Sequence, residues 1–482
     1  MSYFTDGGAT GTRSLLLGVK IPDWKPRMTG QAEHFTASPS LPPGLMIDDV
    51  TGKISGGAFA STPGNKPFMV TLTASDNGGN SSKNEVTFTV VQPIAVQISS
   101  GGRHTCVVYT LNGVKSGILC WGANKFGELG DGAASDMEPA TVQVQGIGTG
   151  VASVSAGSAH TCAISNNQVF CWGNNQVGQV GNANLTATQA TPVAVAGLNG
   201  KITALAAGSF HTCAVVDGSA WCWGLNENGQ LGAKTTDQCR DPKSKIKSDS
   251  SNCSKTPVKV VGIQSPVLGL SAGDAHTCAF LKNGKVTCWG TNHEGQLAAT
   301  DTKLDIQGPT EIPLRGRLMI DQDFLASGPV GVCATVGASL QCWGHRYDKD
   351  DKSQGVYSVD GLPTSYSSIA VGRDHACVTS NGDLYCWGDN SQGELALRTS
   401  ETPSTNKALP VGNRFFDAVT VGGFAGEAFT CALVQLRDGT GDGVQCWGAN
   451  GAGQLGADFI PNNHTSEPRW VTPWASGANS GS

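Results

Sequence analysis

Seven times the chain writes Cys-Trp-Gly, beginning at Cys120, Cys171, Cys222, Cys288, Cys342, Cys386 and Cys446. A partner cysteine stands a short hairpin upstream of each: Cys106, Cys162, Cys213, Cys278, Cys333, Cys377 and Cys431. Successive tryptophans of the triplets are separated by 51, 51, 66, 54, 44 and 60 residues. A period of about fifty built from short strands marks a β-propeller rather than a helical solenoid. Each unit runs in one order. An apolar alternating run closes in Gly (Val151-Ala-Ser-Val-Ser-Ala-Gly157), and a His-Thr-Cys strand, a turn and the Cys-Trp-Gly strand follow. A polar loop of the type Asn-x-x-Gly-Gln-Leu-Gly then leads to a Pro-led strand such as Pro192-Val-Ala-Val. Four strands per unit and seven units predict an all-β, seven-bladed β-propeller over residues 94–474, with 475–482 as a flexible tail.

The cysteine spacing also sets a register. Cys162 and Cys171 centre on Asn166-Asn167, Cys213 and Cys222 on Asp217-Gly218, Cys377 and Cys386 on Asn381-Gly382, and Cys333 and Cys342 on Gly337-Ala338. These are residues that type I′ and II′ hairpins select, because the first turn position, and in type I′ both, needs positive φ. Cys278 and Cys288 carry one more residue, centred on Lys282-Asn283-Gly284, where Gly suits a three-residue loop with a bulge. Each pair then falls at a non-hydrogen-bonded position, where Cα atoms lie ~4.5 Å apart, at the short end of disulfide geometry. The first and last units have longer tips, which leave their register open. The two remaining cysteines, Cys239 and Cys253, bracket the insertion behind the longest interval and pair with each other. Zinc is the rival, but two thiolates per hairpin fall short of the four ligands that a structural site needs. Sixteen paired cysteines point to an oxidising compartment: extracellular, cell-surface, appendage or virion.

The repeat Gly-x-x-His-Thr-Cys … Cys-Trp-Gly-x-Asn-x-x-Gly-Gln-Leu-Gly resembles the regulator of chromosome condensation repeat, in the cysteine-paired form of secreted bacterial proteins. The resemblance covers about four-fifths of the chain and implies the seven-bladed propeller; one fold hosts many functions, so it implies little about activity. Net charge is −6 and 15% of residues are charged, so no basic field exists to hold nucleic acid. That weighs against the chromatin role the family name suggests. No apolar run is long enough for a spanning helix. The opening Met1-Ser-Tyr-Phe-Thr-Asp does not read as a secretory signal, leaving a removed signal, another export route or virion assembly as alternatives.

Residues 1–93 lack cysteine and stand outside the repeat. The stretch Leu41-Pro-Pro-Gly-Leu-Met-Ile-Asp-Asp-Val-Thr-Gly-Lys-Ile-Ser-Gly56 is followed by Phe68-Met-Val-Thr-Leu-Thr-Ala-Ser-Asp76 and Glu85-Val-Thr-Phe-Thr-Val90. Alternating strands between Gly, Pro and Asn turns predict a small immunoglobulin-like β-sandwich. The Leu-Pro-Pro-Gly-Leu and Thr-Gly-x-Ile-Ser-Gly signatures resemble immunoglobulin-like modules strung along bacterial surface proteins. Residues 1–30, with Ser14-Leu-Leu-Leu, read either as an edge strand of this module or as an arm docking elsewhere. Asp48 and Asp76 fit turn carboxylates better than a calcium site, for want of a ligand cluster.

His104, His160, His211, His276 and His375 share one repeat position. On a ring of blades they cannot converge on one ion unless they line the channel, so each is expected to hydrogen-bond backbone of an adjacent strand or blade. The recurring Asn124, Asn175, Asn226, Asn292, Asn390 and Asn450 are expected to make turn bonds or adopt left-handed backbone. The tryptophans should pack between blades with the indole N–H satisfied. No nucleophile elbow, metalloprotease helix or phosphate loop is present, and cysteines committed to disulfides leave no thiol nucleophile. No catalytic residue, metal or cofactor is therefore assigned. Asp438-Gly-Thr-Gly-Asp442 reads as an exposed hairpin tip.

Candidate binding residues lie where the repeat breaks. Unit three carries Arg240, Lys243, Lys245 and Lys247 inside the cysteine-bracketed insertion. Unit five has Gly331 for the histidine and His345-Arg-Tyr-Asp-Lys-Asp-Asp-Lys352 for the Gly-Gln-Leu-Gly loop, which brings forward His345, Arg346 and Tyr347; unit seven has Phe429 for the histidine. Propeller loops are common binding surfaces, while tolerated loop drift explains such breaks equally well. The expected role is a non-enzymatic extracytoplasmic binding or adhesion scaffold with a protein or glycan partner. The alternatives are an appendage or virion subunit self-associating through the N-terminal module, a secreted protein inhibitor, and a polysaccharide-active enzyme housed in the channel. The enzyme reading lacks the repeated carboxylate pair it needs.

Overall fold

The computed structural model describes residues 11–28, 30–58, 67–240, 250–298, 306–318, 324–347, 355–412, 415–435, 442–456, 464–471 and 474, and among them there is no α-helix. The N-terminal sheet has four strands. Gly11–Leu16 runs parallel to Ser81–Val91, which pairs antiparallel with Phe68–Ser75, and His34–Ser38 closes the other edge. Leu45–Ile47 and Ile54–Gly56 form a separate hairpin. Alternation sends Val70, Leu72 and Ala74 inward from one strand and Val86, Phe88 and Val90 from the next, onto Leu45 and Ile54. Ser14-Leu-Leu-Leu thus lies in and just beyond an edge strand, and the same segment docks further on. Lys20 N–H donates to Thr141 O at 2.9 Å, Lys20 pairs with Glu138, and Leu16 and Val19 join the core around Trp121.

Seven antiparallel meanders follow in chain order, each of four strands except the third, which has five. The first comprises Ile94–Ser100, His104–Leu111, Val114–Asn124 and Ser135–Gln143; the last comprises Phe416–Gly422, Phe429–Gln435, Asp442–Ala449 and His464–Trp470. The extra strand, Asp237–Arg240, is added by the insertion and pairs with Ser250–Lys259. First strands of neighbouring sheets pack side by side, and Phe416–Gly422 packs against Ile94–Ser100, so the order closes into a ring. No strand is exchanged at the closure. Ser100 N–H instead donates to Thr420 Oγ1 (2.9 Å), and Trp121 Nε1 donates to Gln454 O (2.9 Å). Trp474, fully buried, donates from Nε1 to Pro93 O (2.8 Å) and stands edge-on to Trp121 at 6.4 Å.

The register follows the cysteines. All seven hairpin pairs face each other directly, with Cα separations of 4.0 to 4.2 Å, and all sixteen cysteines are bridged. The turns have the required backbone: Asn166 (φ 50°) with Asn167 (59°), Asp217 (47°) with Gly218 (71°), and Asn381 (51°) with Gly382 (87°). Gly337 alone is positive (59°) in its pair, as type II′ demands. The first unit's longer tip is also a two-residue turn, Asn112-Gly113, offset from the cysteines by a bulge between Tyr109 and Thr110. Cys239 and Cys253 are not directly opposed, since Cys239 faces Ser251, and their Cα atoms lie 5.8 Å apart.

Candidate binding surface

Four of the junctions between neighbouring sheets share one polar pattern. Between units one and two, Thr161 Oγ1 (2.9 Å) and Trp172 Nε1 (2.8 Å) both donate to Glu128 O. His104 Nε2 lies 2.8 Å from the same threonine oxygen. Because that hydroxyl gives its proton to the carbonyl, the imidazole must be the donor, which assigns the Nε2–H tautomer. The pattern recurs with His160, Thr212, Trp223 and Gln179 O; with His211, Thr277, Trp289 and Gln230 O; and with His375, Thr430, Trp447 and Glu394 O. Four of these five histidines, all but His276, therefore bond a neighbouring side-chain hydroxyl, not the backbone expected from sequence. Complete burial holds them neutral, with pKa values lowered to about 4 for His104 and His211 and about 3 for His160, His276 and His375.

The loop that offers the carbonyl is held by its own side chains. Asn124, Asn175, Asn226, Asn292, Asn390 and Asn450 each accept at Oδ1 the N–H five residues on, at 2.8 to 3.1 Å. They make the turn bonds that the sequence suggests, without left-handed backbone. The next polar residue (Glu128, Gln179, Gln230, Gln296, Glu394 or Gln454) folds back onto the N–H two positions earlier. A further bond seals the channel mouth: Gly102, Ser158, Ser209 and Asp274 donate their N–H to carbonyls of the following unit.

Unit five breaks the pattern on both sides. Val332 stands where a threonine should, so His276 has no hydrogen-bond partner at either ring nitrogen among the described residues. At the junction with unit six the histidine is Gly331, the threonine is Ala376, and the mouth residue is Pro329, which has no N–H to give. Tyr347, from the loop that replaces Gly-Gln-Leu-Gly, takes over part of this work. Its hydroxyl donates to Gly372 O (2.9 Å), and its ring stands edge-on to Trp387 at 6.5 Å. A Cβ at Gly331 would already touch Val371 (3.7 Å) and the Tyr347 hydroxyl (3.9 Å), so the tyrosine occupies space given to an imidazole elsewhere. Six of the seven Cys-Trp-Gly indoles donate to a loop carbonyl, whereas Trp387, 1% exposed, has no partner at Nε1 among the described residues.

A cavity of about 150 Å³ opens at this junction, lined among others by Arg346, Tyr347, Tyr357, Asp360, Trp387 and Asn406. The Arg346 guanidinium lies over the Tyr357 ring at 4.1 Å, and His345 stands edge-on to Tyr347 at 5.9 Å, 3.9 Å from Glu294. Arg346 and Tyr347 thus line one pocket, while His345 packs against Tyr347 and is not part of its lining. Of the unit-three group, Arg240 ends the inserted strand, while Lys243, Lys245 and Lys247 lie outside the described residues, as do residues 475–482 and most of Asp438–Asp442. Phe429 is fully buried in the core at the closure. Pro329, Val332 and Ala376 carry a sequence signal that a column-by-column comparison of the units shows, whereas Trp387 is identical to the other six tryptophans of its column.

The channel, about 400 Å³, is lined by aliphatic residues such as Leu205, Leu270 and Ile369 together with serines Ser99, Ser155 and Ser271, whose oxygens accept N–H bonds from the next sheet. Asp48 and Asp76 carboxylates cap their own turns, accepting from Thr51 and Asn80, which holds both below the usual carboxylate range. Among the described residues no three metal-ligating groups converge, and no helix is long and apolar enough to cross a membrane.

Known proteins place this architecture. A model of the RCC1-like domain matches residues 70–424, and one described as "Putative Ig domain" matches residues 21–91. The chain is 28% identical over 375 residues to the ultraviolet-B receptor UVR8 of Arabidopsis thaliana, covering 74% of this chain and 78% of that protein. It is 26% identical over 312 residues to the E3 ubiquitin-protein ligase HERC2 of Homo sapiens, covering 63% of this chain but only 5% of HERC2. Among solved structures, yeast RCC1 (Prp20), bound to Kap60, superposes with a TM-score of 0.58 at 21% identity, over 80% of this chain and 86% of that one, a likeness of fold alone. With matched residues spanning most of its length, the chain belongs to the RCC1-like domain family and carries an immunoglobulin-like domain ahead of the propeller.

Proposed function

We propose that this protein is a non-enzymatic binding scaffold of an oxidising, extracytoplasmic compartment. In this reading residues 1–93 form the immunoglobulin-like module, 94–474 a seven-bladed propeller and 475–482 a tail. Its partner is a protein or glycan engaged through loops of units three and five, with Arg240, Lys243, Lys245, Lys247, His345, Arg346 and Tyr347 as contact residues. The observation that carries the reading is the eight disulfides, seven of them buried across hairpins in register with their turns. Disulfides persist where the surroundings are oxidising, and they keep a loop-bearing ring pre-organised, which lowers the ordering cost of binding. Family relatives include a photoreceptor and a ubiquitin ligase by name, so the shared property carried over here is only a rigid propeller that supports a specific function. Affinity capture from extracellular and surface fractions tests the reading, comparing the parent with a variant carrying Arg346→Ala and Tyr347→Ala. Loss of a captured partner in the variant supports it; equal capture removes unit five from the contact surface.

A further inference from the structure

We propose that residues 11–20 form a tension clamp: a pull entering the chain at Gly11 passes along this arm in shear to the propeller and bypasses the rest of the immunoglobulin-like module. This goes beyond the scaffold reading and is tested without any partner. The geometry rests on one parallel pairing. Gly11–Leu16 lies beside Ser81–Val91 in a register that runs unbroken from Gly11 opposite Val86 to Leu16 opposite Val91. Leu17 N–H extends it, donating to Val91 O at 2.9 Å. Because the strands run the same way, both reach the propeller with their C-terminal ends. Ser81–Val91 leads directly into Ile94–Ser100, and the arm continues through Leu17–Lys20. Gly11 therefore lies at the far end of the pair, roughly 17 Å from Leu16 at ~3.3 Å per residue. Drawing Gly11 away from the propeller slides one strand lengthwise against the other. The evenly spaced bonds of a parallel ladder are then strained together rather than one after another.

The arm is anchored beyond the ladder as well. Lys20 is bridged on one side to Gly57 of the module and on the other to Val142 in the first propeller unit. Its N–H donates to Thr141 O (2.9 Å), while Gly18 N–H donates to Ala58 O (2.6 Å) and Ile21 N–H to Gly56 O (2.8 Å). Leu16 and Val19 are buried in the core that holds Trp121 and Trp474. The fit is close, since a Cβ at Gly57 would meet Val19 O at 2.7 Å. The chain between Lys20 and Ser81, which makes up most of the module, lies off this path and carries no tension while the arm holds.

The full chain, held by handles at its two ends in an optical trap at constant force, provides the test. Failure of the arm releases the module in one step of roughly 27 nm, the extended length of residues 11–93 at ~3.3–3.6 Å per residue. Two variants weaken the arm. Val19→Ala opens a cavity in the core shared with the propeller. Leu15→Pro removes a ladder N–H, because Leu15 stands two residues before Leu17 and faces the same partner strand. Leu72→Ala opens a larger cavity in the module core, off the path. The clamp predicts that each arm variant shortens the lifetime before this step about tenfold, as ~1.4 kcal/mol of lost barrier gives, while Leu72→Ala shortens it less than about threefold. Urea unfolding should nevertheless show Leu72→Ala to cost the module at least as much as Val19→Ala. Equal shortening of the lifetime by Val19→Ala and Leu72→Ala overturns the proposal, and so does a parent module that pays out in several small steps. Where Leu15→Pro leaves the module unfolded, the comparison of Val19→Ala with Leu72→Ala decides alone.

Discussion

Glu394 gives the sharpest handle on the ring's energetics. Four equivalent loops carry glutamine, Gln179, Gln230, Gln296 and Gln454, and in each the side-chain carbonyl accepts the N–H two residues back. Glu394 makes the same bond to Gln392 N–H at 2.8 Å but carries a titratable proton. Burial above all, with Asp389 and Asp374 adding repulsion, pushes its pKa up to about 7. A carboxyl whose pKa is raised on folding favours the fold while protonated in both states. That stability is fully present below the unfolded value near 4.5, and it is lost as pH rises through about 7. A shift of this size corresponds to about 3 kcal/mol at alkaline pH. Glu394→Gln retains the bond and the backbone carbonyl that Trp447 and Thr430 use, and it removes the titration. Urea unfolding with disulfides intact, repeated from pH 4 to pH 9, should give variant and parent similar midpoints below pH 5. Above pH 7 the variant should be the more stable, by up to about 3 kcal/mol. Parallel curves across the range would refute the assignment of a buried, strained carboxyl at this loop.

The same loops and junctions yield three further tests. Val332→Thr gives His276 the hydroxyl it lacks and should stabilise by about 1 kcal/mol, whereas Thr277→Val strips His211 and Gln230 O of a partner and should cost about 1–3 kcal/mol, both read as urea midpoints. Trp474→Ala, at the ring closure, should destabilise by about 3–5 kcal/mol, and Trp474→Phe by less, because only the bond to Pro93 and part of the packing on Trp121 are lost. The buried histidines have folded pKa values below the unfolded value of 6.5, so their contribution is complete above that pH and is lost as pH falls toward about 4 to 3. His160→Asn should therefore flatten the acid limb of the stability profile, a change visible in midpoints taken between pH 4 and pH 7.

What the sequence disclosed depended on how local the cause was. Hairpin register was legible because cysteine spacing and turn residues such as Asp217-Gly218 obey the same short-range stereochemistry. The second half of the N-terminal module was legible for the same reason, through strict alternation in Phe68–Ser75. The parallel edge strand Gly11–Leu16 was ambiguous, since its partner lies some seventy residues away and no turn links them. The partner hydroxyls were not legible because Thr161 and His104 belong to different units, brought together only by the packing of neighbouring sheets. The site at unit five was half visible. The loop change at His345–Tyr347 stood out as a gap in the motif, but its meaning needed Pro329, Val332 and Ala376, single-residue changes in otherwise regular strands. Arg240 stood out as part of the basic, cysteine-bracketed insertion, and it ends the strand Asp237–Arg240 that the insertion adds to unit three.

The central claim is that the cysteines are structural staples, closed in the native protein. Native protein from its own source is treated with an alkylating reagent before reduction and again after reduction and unfolding, and each sample is weighed intact. The account predicts no alkylation in the first sample and sixteen modified cysteines in the second. Substantial labelling before reduction would contradict the stapled ring, and with it the oxidising compartment in which the scaffold is placed.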